Sequence, residues 1–154
     1  MLRHEVQAFF EAYAQAFNRL DGEAVAAMWH AGGSGIAHQR AGQAALTWWA
    51  EPAPMRANHL ALCEVYRSSG LARTSFELLD HVPMGPDHGF ARLRWQLWRT
   101  DGGLLQTFGT GYQLMRTADG LRVLLCTAFE EDLSALRAQA AGPVAAAGRA
   151  PRDG

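Results

Sequence analysis

The change of hydrophobic period near residue 71 constrains the fold of this chain most strongly. Before it, apolar side chains recur at helical spacing over residues 6–20, whereas residues 91–100 alternate between apolar and polar side chains. The helical stripe consists of Val6, Phe9, Phe10, Tyr13, Phe17 and Leu20. Helices followed by a meander of long strands predict an α+β domain rather than a βαβ domain. A kinked sheet wrapped around one apolar helix leaves a pocket between them, where we expect a ligand.

Proline and glycine set the predicted boundaries in the first half of the chain. We predict a strand over residues 36–39 and a helix over residues 42–50, which Pro52 and Pro54 end. A further helix is predicted over residues 55–67. Asp21 is expected to cap the start of a second helix, which runs through Trp29.

The second half of the chain predicts four strands. Strands are expected over residues 72–82, 91–100, 104–117 and 121–129, joined by turns at 83–86, 101–103 and 118–120. Gly109 and Gly111 are candidate bulge positions in the long third strand. Beyond the last strand, the acidic residues Glu130, Glu131 and Asp132 are expected to cap a short C-terminal helix.

Composition limits the classes of function. The length of 154 residues suits one domain over residues 1–141, and the Ala-, Gly-, Pro- and Arg-rich residues 142–154 are expected to be a disordered tail. A net charge of −1 argues against nucleic-acid binding. All 14 basic residues are Arg, which excludes Schiff-base chemistry on a lysine of this chain. No apolar run approaches the roughly 20 residues that span a membrane, so we expect a cytoplasmic protein.

The cysteine, histidine and glycine patterns predict neither a metal nor a nucleotide site. Cys63 and Cys126 match no zinc or redox spacing, which favours buried free thiols. The histidines contain no i, i+4 pair that would hold zinc on a helix. Residues 32–35 lack the G-x-G-x-x-G pattern of dinucleotide binding. We therefore expect no cofactor and no metal.

Two segments carry a resemblance to a known superfamily. The helix VQAFFEAYAQAFNRLDGEAVAAMW and the hairpin RLRWQLWRTDGGLLQTFGTGYQLMRTADGLRVLL resemble the nuclear transport factor 2-like superfamily, which includes ketosteroid isomerase and the SnoaL-like cyclases. The resemblance implies N-terminal helices packed in the concave face of a strongly curved, mostly antiparallel sheet, a cone-like barrel. It also implies a homodimer through the outer sheet face. The pocket of this superfamily hosts isomerases, dehydratases, epoxide hydrolases and cyclases, and also modules that only bind.

The resemblance implies catalytic candidates residue by residue. Tyr13 matches the oxyanion donor of the steroid isomerases by its spacing to Asp21, and Tyr112 takes the counted position of their second donor. Their general base is an aspartate on the first strand, and this chain has none there. His38 is the titratable group in that stretch, which makes it the candidate base.

Each candidate also has a structural interpretation. Tyr13 and Tyr112 are equally explained as buried tyrosines with ordinary hydrogen-bond partners, and His38 as a partly exposed histidine beside Arg40. The predicted substrate-binding residues are large apolar side chains, which the core or a dimer interface would also explain. They are Phe9, Phe17, Trp29, Trp49, Trp95, Phe108 and Leu114.

Two functions follow, from different classes. The first is a cofactor-independent isomerase, cyclase or dehydratase that moves a proton on an apolar carbonyl compound, with Tyr13, His38 and Tyr112 as its catalytic residues. The alternative is a non-catalytic module that binds a hydrophobic small molecule or dimerises. Epoxide hydrolysis ranks last, because Asp80, Asp87 and Asp101 fall in loop-like places.

Overall fold

The computed structural model describes residues 1–40, 42–129 and 131–140. The elements in chain order are α1 (Arg3–Asn18), α2 (Gly22–Ala27), β1 (Ser34–Arg40), β2 (Gln43–Trp49), α3 (Pro52–Ser68), β3 (Leu71–Met84), β4 (His88–Arg99), β5 (Leu104–Thr117), β6 (Gly120–Phe129) and α4 (Leu133–Ala140). The predicted α+β class is confirmed. The predicted tail of residues 142–154 lies outside the described residues.

The described strands form one six-stranded sheet in the order β2-β1-β6-β5-β4-β3. All neighbouring strands are antiparallel except β1 and β6, which are parallel. The sheet is open rather than closed into a barrel, with β2 and β3 at its edges. The helix α1 packs against the inner face, where the Phe10 ring lies 4.7 Å from that of Tyr112 and 6.5 Å from that of Trp95.

The strand β4 shows how the alternating pattern sorts its side chains. Its inward residues are buried, and they are Ala91, Leu93, Trp95 and Leu97. On the outer face, Arg92 and Arg94 form ion pairs with Asp80 and Glu77 of β3. Burying a side chain such as that of Leu93 contributes about 1.5–3 kcal/mol, so the inner face of β4 is a main part of the core. Asp80, which was expected in a loop-like place, lies within β3.

The N-terminal helices begin at side-chain caps. The Glu5 carboxylate accepts a hydrogen bond from the Leu2 backbone N–H (2.6 Å) at the start of α1. As predicted, Asp21 caps α2, its Oδ1 accepting from the backbone N–H of Ala24 at 3.0 Å. However, α2 ends at Ala27, before Trp29, which forms an isolated bridge with Val123 of β6 instead.

The prediction of a helix over residues 42–50 was wrong. Gly42 adopts a φ of 77° and turns the chain, so that β2 returns antiparallel to β1 and Gln43 pairs with Arg40. Glycine reaches this conformation without steric cost, and it makes a tight hairpin possible. Pro52 begins α3 rather than ending a helix, because the first helical turn needs no backbone N–H from it.

The predicted bulges at Gly109 and Gly111 were also wrong. Both residues pair regularly with β4, and the register shifts of β5 lie instead near its ends. Each glycine leaves room for an aromatic ring: a Cβ on Gly109 would lie 2.1 Å from Cε2 of Phe129, and one on Gly111 would lie 2.8 Å from Cζ of Phe90. These rings cover the outer face. The homodimer through that face stays a prediction, which sedimentation equilibrium would test.

Three other expectations concern the cysteines, metal sites and membrane-spanning helices. Cys63 and Cys126 are free and buried, as predicted. Within residues 1–40, 42–129 and 131–140, no group of three His, Cys, Asp or Glu side chains could hold a metal ion. No helix in the same ranges has the length and apolar character needed to cross a membrane.

Candidate functional site

A small cavity of about 70 Å³ lies between α1, α3 and the inner face of the sheet. Its lining contains all three tyrosines of the chain together with one histidine and one carboxylate. The lining residues are Tyr13, Phe17, Trp29, Ile36, His59, Leu62, Tyr66, Thr74, Trp95, Leu97, Phe108, Thr110, Tyr112, Cys126, Ala128 and Glu131. A water molecule needs about 10–15 Å³ by this measure, so the cavity holds a few atoms of a ligand and not a whole polycyclic one.

Tyr13 reaches the cavity from the buried stripe of α1. Its hydroxyl oxygen accepts a hydrogen bond from Nε1 of Trp29 at 3.0 Å. Because the indole N–H can only donate, the hydrogen of the Tyr13 hydroxyl remains available for another acceptor. Burial raises the pKa of Tyr13 far above its ordinary value, with Coulombic contributions from Cys126 and Glu131. Tyr13 is therefore a neutral hydrogen-bond donor over the physiological pH range.

Tyr112 reaches the same cavity from β5. Regular pairing with Ala91 of β4 keeps its side chain on the inner face of the sheet, where it is 4% exposed. Burial raises the pKa of Tyr112, and hydrogen bonding with Thr110 acts in the opposite direction. Thr110 itself accepts a hydrogen bond from Nε1 of Trp95 at 2.9 Å. The Tyr13 and Tyr112 ring centroids lie 6.1 Å apart, and both rings line the cavity.

Glu131 lines the cavity, although the sequence pattern assigned it to a helix cap. It follows β6, and its Oε1 accepts a hydrogen bond from the Tyr66 hydroxyl at 2.7 Å. Burial raises the pKa of Glu131, while the bond from Tyr66 lowers it. Of the three acidic residues predicted to be caps, Asp132 is one, since its Oδ1 accepts from the backbone N–H of Ala135 at 2.9 Å.

The histidine in the cavity lining is His59 rather than His38. His59 is 1% exposed, and its ring lies 4.6 Å from that of Trp29. Its Nδ1 lies 2.9 Å from the Met55 carbonyl oxygen, which requires an N–H on Nδ1 and leaves Nε2 as an acceptor. Burial lowers the pKa of His59 to about 4, so the ring is neutral near pH 7.

The predicted site residues separate into two groups. Those that line the cavity are Tyr13, Phe17, Trp29, Trp95, Phe108 and Tyr112. The other four lie elsewhere: Phe9 packs beside Phe10 on α1, Leu114 is in the core, and Trp49 and His38 line an outer groove. The structure thus brings together the two tyrosines but not the histidine predicted to act with them.

This outer groove, which we call the vestibule, has a volume of about 690 Å³. It adjoins the cavity at four residues that line both spaces, namely Ile36, Leu62, Ala128 and Glu131. In the vestibule, Nε2 of His38 lies 3.3 Å from Oγ1 of Thr47. A vestibule of this size accommodates a drug-sized ligand, so a longer ligand can enter the cavity with one end only.

Comparisons with known proteins agree with this architecture. An NTF-2 like protein of unknown function from Shewanella oneidensis has a TM-score of 0.65 and 13% identity, over 83% of this chain and 98% of that chain. A ketosteroid isomerase-like protein from Erwinia carotovora atroseptica has a TM-score of 0.56 and 18% identity, over 81% and 94%. A proposed dehydratase of the NTF2-like family from Streptomyces avermitilis has a TM-score of 0.60 and 17% identity, over 84% and 95%.

At these identities, the similarity to solved structures shows the fold alone. No curated protein sequence matches the chain. The sequence profile of a family described as NTF2-like protein (DUF6841) matches residues 4–131, which include α1 from its second residue onward, the whole sheet and Glu131. The chain therefore belongs to this NTF2-like family.

Proposed function

We propose that this protein is an enzyme that transfers a proton on a carbonyl compound, with Glu131 as the proton carrier. The observation that carries the proposal is a partly buried carboxyl group in an apolar cavity with two neutral phenols, Tyr13 and Tyr112. Burial raises the pKa of Glu131, and a raised pKa brings a carboxyl group closer to the proton affinity that suits a general acid or base. The reaction class is an isomerisation, a cyclisation or a dehydration.

The phenols supply the complementary half of the chemistry. Removing a proton beside a carbonyl group places negative charge on the carbonyl oxygen, which needs hydrogen-bond donors. The Tyr13 hydroxyl retains its hydrogen for this purpose, because its oxygen already accepts from Trp29. In an apolar cavity, donors that are already in place are stronger than in solution and need no reorganisation during the reaction. Tyr13 and Tyr112 are thus the proposed oxyanion donors.

The cavity dimensions define which part of a substrate reacts. The closed space holds only a few atoms, and its border with the vestibule is formed in part by Glu131 itself. A substrate would therefore place its carbonyl end against the tyrosines and the remainder in the vestibule. His38 would contact that remainder rather than the reacting carbon.

The proposal can be tested with an assay that does not require the natural substrate to be known. In deuterated water, proton abstraction replaces the hydrogens next to a carbonyl group by deuterium, which NMR follows on a panel of small and elongated ketones. We expect the protein to accelerate this exchange for at least one ketone, and Glu131→Gln to reduce the acceleration about 10²–10⁴-fold. Tyr13→Phe should reduce it about 10²–10³-fold. His88→Gln is the matched control, because this exposed histidine at the start of β4 lines neither the cavity nor the vestibule, and we expect it to retain the exchange activity.

A second function is favoured by the way the polar groups are already bonded to one another. Tyr13 is bonded to Trp29 and Tyr66 to Glu131, which are also the features of a stable pocket that only binds. Under this alternative, ketones or phenols bind to the protein, but the protein does not accelerate hydrogen–deuterium exchange in any ketone. That combination, with Glu131→Gln leaving binding unchanged, would favour the ligand-binding module over the enzyme.

A further inference from the structure

The Glu131 carboxyl is bonded to a helix that is distant in sequence. The Tyr66 hydroxyl, near the end of α3, donates to Oε1 of Glu131 at 2.7 Å across a separation of 65 residues. The Tyr66 ring is 4% exposed and packs against that of Phe17, with their centroids 5.6 Å apart. Packing thus fixes the donor, and the donor fixes one oxygen of the carboxyl group.

We propose that Tyr66 is a positioning residue for Glu131: by occupying Oε1, its hydroxyl directs proton exchange with the ligand to Oε2. This inference rests on the proposed role of Glu131 as the proton carrier. A protonated carboxyl group has one oxygen that bears the hydrogen and one that is a carbonyl acceptor. The oxygen that accepts from Tyr66 is the acceptor, so the proton resides on Oε2. When the proton leaves, the bond from Tyr66 becomes charge-assisted and stronger.

The same bond sets the proton affinity of the carboxyl group. Burial favours the neutral acid, and the Tyr66 hydroxyl favours the carboxylate, so the two effects oppose each other at Glu131. Other groups face this region from several elements. Among the described residues, those with titratable or charged side chains are Tyr13 of α1, His38 of β1, His59 and Cys63 of α3, Tyr112 of β5, Cys126 of β6, Asp132 after β6 and Arg137 of α4. Within that part of the chain, Tyr66 is the side chain that donates a hydrogen bond to Glu131.

The segment that carries Glu131 has anchors besides Tyr66. The Ser69 hydroxyl donates to the carbonyl oxygen of Leu136 at 3.0 Å, and Nε2 of Gln106 donates to that of Asp132 at 3.3 Å. The Leu136 side chain is fully buried. Removing the Tyr66 hydroxyl should therefore release the carboxyl group without detaching the segment. This makes Tyr66→Phe a specific test.

The experiment is an NMR titration of the full chain labelled with ¹³C in the glutamate carboxyl groups, with Glu131→Gln used to assign the signal. In Tyr66→Phe we expect the midpoint of the Glu131 titration to move to higher pH, by about tenfold in proton affinity, because one hydrogen bond to the carboxylate is lost. Tyr112→Phe is the matched control. It removes a hydroxyl from the same cavity but no bond to Glu131, so its midpoint should move less.

A second measurement keeps the hydroxyl in place. Uniform replacement of tyrosine by 3-fluorotyrosine makes the phenol a stronger donor, and we expect the midpoint to move to lower pH. A midpoint that stays at the wild-type pH in both Tyr66→Phe and the fluorinated protein overturns the role of Tyr66. Because the titration needs no turnover, its failure is separate from a failure of the ketone exchange assay, which tests Glu131. With an active ketone, the rise of exchange rate with pH should shift upward in Tyr66→Phe as well.

Discussion

The two faces of β4 carry side chains under opposite physical conditions. On the inner face, Leu93 is fully buried and Trp95 donates to Thr110 in the cavity wall. On the outer face, Arg92 and Asp80 form an ion pair at 2.6 Å, yet their side chains are 50% and 52% exposed. Water screens the outer ion pair and competes for its hydrogen bonds. The buried Trp95 and Thr110 side chains instead form a hydrogen bond with each other, which is stronger in these less polar surroundings.

This difference explains why the chemistry that we propose lies on the inner side of the sheet. The outer face has more formal charges, but water solvates them and screens their interactions. On the inner side, burial alone is enough to raise the pKa of Glu131 and to lower that of His59 to about 4. A few buried polar groups therefore carry more chemistry than many surface ion pairs.

The largest contrast is expected from truncating one residue on each face of β4. Leu93→Ala removes a fully buried side chain and should lower the free energy of unfolding by about 2–5 kcal/mol. Arg94→Ala, at the neighbouring outward position, should cost less than about 1 kcal/mol. Urea denaturation measures both. Equal losses would show that the outer face is buried in solution, for example by a second copy of the chain.

The second contrast concerns the pH dependence of stability. Well above pH 6.5, His59 is neutral in both the folded and the unfolded chain. As the pH falls towards 4, the unfolded chain takes up the proton first, so folding loses about 3 kcal/mol of stability from this residue. His59→Gln should reduce that loss, as measured by urea denaturation between pH 7 and pH 4.

The control for this comparison is the same substitution at an exposed histidine. His88→Gln, at the start of β4, should leave the free energy of unfolding at neutral pH unchanged. If His59→Gln retains the full acid-induced loss of the wild type, the ring of His59 is not buried as a neutral imidazole.

The smallest contrast is between the buried hydrogen bond from Trp29 to Tyr13 and the exposed ion pair on the outer face of the sheet. A double-mutant cycle on Trp29→Phe and Tyr13→Phe should give a coupling energy of about 1 kcal/mol, because the bond is buried. The equivalent cycle on Arg92→Ala and Asp80→Ala should give about 0.2–1 kcal/mol, and high salt should reduce it. A salt-sensitive coupling for Trp29 and Tyr13 would contradict a water-excluded cavity.

Local patterns predicted the parts of the fold that depend on neighbouring residues. The helical stripe of α1 and the alternation of β4 were read correctly, because each pattern repeats within a few residues. Residues 43–49 were misread, since alanine and leucine favour a helix and only the turn at Gly42 places them beside β1. The edge strand depends on pairing with a partner, and propensity does not contain that information.

The candidate site divides in the same way. The family resemblance proposed Tyr13 and Tyr112 as partners, but the sequence left the direction of the Tyr112 side chain open, because a shift of one residue in a strand reverses it. The pairing of Tyr112 with Ala91 in the folded sheet places it in the cavity. Glu131 was read as a helix cap because an acidic triplet after a strand is typical of one, and nothing adjacent to it in sequence indicates Tyr66. A search for the first carboxylates after the final strand would have included it, as one of three.

The sequence by itself determined the class of the domain, the two faces of β4 and the small net charge that argues against nucleic-acid binding. These properties depend on composition and on periods of two or about four residues. Only the tertiary structure decided that His38 lines the vestibule while His59, Tyr66 and Glu131 line the cavity. The physical reason is that burial and hydrogen bonding across 65 residues arise only once α3 and the end of β6 are packed together.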